Sequence, residues 1–80
     1  MRLPRDLSGR GLAKALARLG YGIDRQTGGH IRLATERRGE HHITVPSHDY
    51  LKIGTLNAIL RDVAEHAGLS RKELLERLFG

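Results

Sequence analysis

The sequence predicts an α+β fold of element order α-β-β-β-α(-α): a three-stranded antiparallel sheet with helices packed on one face. Three observations predict it. Apolar residues recur at helical spacing near the start of the chain, switch to a period of two between Tyr21 and Pro46, and return to helical spacing after Gly54. Turn signals punctuate the elements, and no repeat, linker or low-complexity tract separates them. Eighty residues enclose one small core, so the expected organisation is a single domain over 1–80.

The elements follow in order. After a polar lead-in over 1–7, Ser8 is placed to N-cap a helix over 8–20. Its apolar residues Leu12, Ala15, Leu16 and Leu19 share one face, and Gly20 is placed as a left-handed C-cap. Arg10, Lys14 and Arg18 recur every fourth residue on the opposite side, a basic stripe that solvent or phosphates can reach. The sheet occupies 21–46. Tyr21–Thr27 reads as a first strand, Gly28-Gly29 as a hairpin signal, His30–Thr35 as a second strand, Glu36–Glu40 as a charged turn and His41–Pro46 as a third strand. Pro46 ends that strand because it has no N–H to donate.

Alternation assigns the faces. Ile31, Leu33, Ile43 and Val45 point toward the helices, whereas His30, Arg32, His42 and Thr44 point to solvent. His41, His42 and, further on, His66 are expected at the surface. After a loop over 47–53, Leu56, Ile59, Leu60, Val63 and Ala67 form the apolar stripe of a helix over 54–68, stopped by Gly68. Ser70 and Glu73 form a capping box, flanked by a Leu69–Leu74 staple, for a short helix over 70–79 that buries Leu74, Leu75 and Leu78.

Charge and composition narrow the function. Fourteen Lys plus Arg against nine Asp plus Glu leave a net charge of +5, and eleven of the cations are Arg, which points to a polyanionic or acidic partner. With 39% apolar residues and 4% aromatic, the core is too thin for a deep cofactor pocket. The absence of cysteine excludes disulfide scaffolds, thiolate zinc sites and cysteine nucleophiles. No stretch approaches the ~20 apolar residues of a membrane span, and a cytoplasmic location is expected. The histidines are too scattered for a metal site, and Ser8, Ser47 and Ser70 stand where caps and loops explain them.

Histidine chemistry on RNA fits so small a chain. RNA carries its own nucleophile in the 2′-hydroxyl, so the protein has only to move protons and stabilise charge on the phosphate. His30 directly follows the two glycines of a turn that a phosphate can approach. Arg32 on the same face and Arg25 across the hairpin are candidate phosphate contacts.

Gly28-Gly29-His30, Ile43-Thr44-Val45-Pro46 with His48, Gly54-Thr55-Leu56 with Ile59-Leu60, and Ala67-Gly68-Leu69-Ser70 with Glu73-Leu74 resemble the successive signatures of the HicA family. The resemblance runs from Ser8 to Leu78. It implies a double-stranded-RNA-binding-domain-like fold and a toxin of a toxin-antitoxin pair that cleaves mRNA without a metal or other cofactor. It also implies a HicB-like antitoxin partner that covers the active site. Residue by residue, it carries the catalytic histidine onto His30. Around that histidine, placement in the sequence makes Arg25, Arg32 and Lys52 candidate phosphate contacts, with Gly28, Gly29 and the stripe Arg10, Lys14 and Arg18 as further candidate RNA contacts. The family's common Gly-Ser-His stands here as Gly28-Gly29-His30, without the serine hydroxyl. His48, just past the strand-ending Pro46, is open to a loop-positioning or capping role or to catalysis.

Two alternatives belong to other classes. A non-catalytic module of the same fold would bind RNA or the antitoxin through the helix stripe and without His30. A helix-turn-helix DNA binder would use the Ala67–Ser70 turn, but the last helix is committed to packing through its leucines.

Overall fold

The computed structural model describes residues 3–80; Met1 and Arg2 of the expected lead-in lie outside the described residues. The chain runs α1 (Gly9–Leu16), a 3₁₀ turn (Ala17–Leu19), β1 (Gly22–Gln26), β2 (His30–Thr35), β3 (His41–Pro46), α2 (Ile53–Ala67) and α3 (Arg71–Phe79). The strands form one antiparallel sheet of order β1-β2-β3, the expected α+β arrangement. The shortest dimension, 18 Å, is that of one layer of helices on one sheet.

Each boundary has a local cause. Ser8 accepts from the Gly11 N–H at 2.9 Å and starts α1. The expected helix over 8–20 tightens into a 3₁₀ turn after Leu16 and ends at Gly20, left-handed at φ 93°. α2 begins at Ile53, one residue earlier than expected, with Lys52 at the N-cap position making no side-chain cap bond, and closes on left-handed Gly68. The capping box of α3 is complete: Glu73 N–H donates to Ser70 Oγ (3.1 Å) and Ser70 N–H donates to the Glu73 carboxylate (2.9 Å). Those bonds from Ser70 hold the Glu73 carboxyl below its ordinary value.

The core lies between the inner sheet face and the helices. Leu12, Leu16, Ile31, Leu33, Val45, Leu60, Val63 and Leu74 are fully buried. Strand alternation holds in β2 and β3, where Ile31, Leu33, Ile43 and Val45 face inward while His30, Arg32, His42 and Thr44 are exposed. Gly9 makes the close packing of α1 on the sheet possible. A Cβ built there would overlap the Pro46 carbonyl oxygen, and the Gly9 N–H donates to the His48 carbonyl at 3.0 Å. His48 thus positions the junction through its backbone, while its side chain is exposed.

Candidate active site

The β1–β2 hairpin tip carries His30. The Thr27 N–H donates to the His30 carbonyl at 3.0 Å, and the His30 N–H returns to the Thr27 hydroxyl oxygen at 3.2 Å. Neither Gly28 nor Gly29 lies in the left-handed region, and a Cβ on either would meet nothing within 4 Å. The two glycines leave the tip bare; the turn does not need their conformational freedom. Ser47 fastens this tip to β3. Its N–H donates to the Gly29 carbonyl and its hydroxyl to the Gly28 carbonyl, both at 3.0 Å. Sequence reasoning assigned Ser47 only to a loop. The readable signal was register, because pairing His30 with Pro46 places Gly29 opposite Ser47.

His30 is exposed, and among the described residues its ring makes no hydrogen bond or ion pair. Arg32 follows two residues along on the same face. Arg25 joins that face through a β-bulge: Ile23 pairs with Leu33 but Arg25 pairs with Arg32, so Asp24 and Arg25 together oppose one residue of β2. Strict alternation from Ile23 would have turned Arg25 toward the helices. Asp24 shares the outer face, with its carboxylate 3.8 Å from Arg32 Nε and 4.0 Å from His42 Nδ1. His42 also lies 3.6 Å from Glu40. These half-exposed pairs contribute little stability but limit where Arg32 and His42 point.

The remaining expected contacts fall elsewhere. Arg10 and Lys14 line a groove on the helix-bearing side of the sheet, with Ile31 and Leu33 at its base, so they do not share a face with His30. Arg18 is exposed, as expected of the stripe, but its guanidinium is already engaged. Its guanidinium donates to the carbonyls of Leu78 (3.3 Å) and Gly80 (3.2 Å), where a cation complements the C-terminal end of α3. Lys52 is exposed just before α2 and makes no side-chain hydrogen bond or ion pair among the described residues.

The opposite end of the sheet holds a polar cluster that sequence reasoning missed. Tyr21, 4% exposed, donates its hydroxyl to His41 Nδ1 at 2.8 Å, and His41 Nε2–H donates to Asp62 at 3.1 Å. His66 stacks on His41 with ring centroids 4.3 Å apart and donates Nε2–H to the Arg37 carbonyl at 2.9 Å. Burial, then the nearby Asp62 charge, pushes the Tyr21 phenol up to about 12. His41 and His66 are therefore fixed structural residues and not the surface histidines expected. The inward parity that His41 shares with Ile43 and Val45 was the available signal. Among the described residues, no three His, Cys, Asp or Glu side chains converge.

Fold and site together define a small α+β domain that covers one sheet face with helices and leaves the other, bearing imidazoles and guanidinium groups, open. The family model described as HicA toxin of bacterial toxin-antitoxin matches residues 9–69, from the start of α1 through the turn after α2. The chain belongs to this toxin family. Comparison with curated proteins and with solved structures gave no match. Among the described residues, no helix is long and apolar enough to cross a membrane.

Proposed function

We propose that this toxin is a metal-independent endoribonuclease that cleaves mRNA, with His30 as its general acid/base. The observation that carries this reading is an imidazole with no partner among the described residues on a bare, clamped hairpin tip, with Arg32 and Arg25 on the same open face. As base, His30 takes the proton of a ribose 2′-hydroxyl. The 2′-oxygen then attacks the adjacent phosphorus and the P–O5′ bond breaks; the departing 5′-oxygen takes a proton from solvent water, the His30 imidazolium returns its proton to solvent, and a 2′,3′-cyclic phosphate and a 5′-hydroxyl remain. Arg32 and Arg25 offset charge on the phosphate as it crowds. The bare glycines admit the RNA backbone, and Ser47 holds the tip against β3. An antitoxin of HicB type that covers this face would silence it.

Expression of wild type and His30→Ala in a susceptible bacterium tests the assignment. Cleavage and toxicity are expected to fall by about 10²-fold or more, the scale of a lost general acid/base. Equal toxicity and equal RNA degradation would remove His30 from the mechanism. Cleavage in excess EDTA is expected to persist.

The absence of a serine hydroxyl at Gly29 favours a second reading, in which the same face binds RNA without cutting it. A gel shift of intact RNA that depends on Arg32 but not on His30 would identify it.

A further inference from the structure

The groove between α1 and β1 lies on the opposite side of the sheet from His30, and the reading of His30 makes no use of it. It encloses about 510 Å³, with Ala13, Ala17 and Ile23 among its apolar walls and Arg10 and Lys14 as its cations. We propose that it is a docking site for an acidic, aliphatic segment of a partner polypeptide.

Three features support this occupant. First, Ile23 occupies an inward-facing register position opposite Leu33, yet Ile23 is 58% exposed while Leu33 is 1% exposed. α1 meets β1 only across the groove and leaves all five of its residues exposed. An exposed aliphatic on an open sheet edge is a surface that a partner chain can cover. Second, the chain carries no carboxylate from Leu7 through Ile23, whereas Arg10, Lys14 and Arg18 all fall in that stretch. Arg18 is held by the end of α3, so Arg10 and Lys14 are the cations that line the groove. Third, an apolar wall beside cations discriminates between polyanions. Nucleic acid offers phosphates but gains little from this wall, whose one aromatic, Tyr21, is 4% exposed and presents no open ring face for a base to stack on. A polypeptide of interleaved carboxylates and aliphatic side chains satisfies both. Five residues of strand give the groove a length of ~17 Å, enough for an extended segment of about six residues.

The inference rests on the groove alone and does not depend on RNA cleavage. A synthetic hexapeptide alternating glutamate and leucine is the probe, titrated into the full chain while the methyl signals of Ile23 and Ala17 are followed by NMR. Those signals are expected to shift, with affinity falling as salt rises. Ile23→Asp and Lys14→Glu are each expected to weaken binding at least tenfold, and His30→Ala to leave it unchanged. Ile23 is already exposed, so its variant should fold; should it not, Lys14→Glu, on the surface of α1, decides alone. Absence of a shift at millimolar peptide, or binding insensitive to Lys14→Glu, overturns the proposal. So does a short RNA duplex that shifts the same methyls when the peptide does not, an outcome that would make the groove an RNA contact.

Discussion

His30 and His41 stand at opposite ends of the β2–β3 ladder and on opposite faces of the sheet. His30 pairs with Pro46 at the hairpin tip, and its ring meets no partner among the described residues. His41 pairs with Thr35 at the other end, and its ring is held by Tyr21, Asp62 and a stacked His66. The same residue type is available for chemistry in one place and consumed by structure in the other. The difference lies in what surrounds each ring. A ring with both nitrogens satisfied within the fold cannot exchange protons with a ligand unless the fold gives way.

Substitution should separate the two ends. His30→Ala carries the largest expected effect, a loss of about 10²-fold or more in RNA cleavage with an unchanged urea midpoint. His41→Ala is expected to do the reverse. It leaves the buried Tyr21 hydroxyl without its acceptor and lowers stability by about 2–3 kcal/mol in urea unfolding, while cleavage per folded molecule is retained.

Alkaline pH probes the structural end alone. The folded Tyr21 phenol is raised to about 12, above its ordinary value of 10.0, so the folded state keeps a proton that the unfolded chain releases. Its contribution is therefore fully present below pH 10.0 and is lost as pH rises toward about 12. After discount for solvent screening at this part-buried hydroxyl, the loss is at most about 2 kcal/mol. Tyr21→Phe is expected to flatten this part of the stability curve, and an unchanged slope would remove Tyr21 as its source.

Ser47→Ala gives the smallest effect and touches the hairpin end. Loss of the bond to the Gly28 carbonyl should cost about 1 kcal/mol of stability and loosen the tip. Cleavage is expected to fall a few-fold, and Ser47→Thr, which retains the hydroxyl, to restore it.

Local signals made much of the fold legible. Ser8 and Ser70 cap α1 and α3 where spacing predicted helices, left-handed Gly20 and Gly68 close the turn after α1 and the end of α2, and the β2 and β3 faces follow their period of two. The β1 bulge was not legible, because an extra residue in one strand is defined only against its neighbour. Without it, the position of Arg25 had no basis in alternation. The role of Arg18 was equally hidden: its guanidinium meets carbonyls 60 and 62 residues away.

The sequence by itself determined element order, caps, core stripes and the exposure of His30 and Arg32, because each depends on periodicity and near neighbours. Tertiary structure alone decided that Arg25 joins Arg32 on the His30 face, which cations line the α1–β1 groove, and that His41 and His66 are locked together. Those outcomes depend on how a helix lies across a sheet and which strand ends meet it. Such contacts join residues distant in sequence, and no local pattern records them.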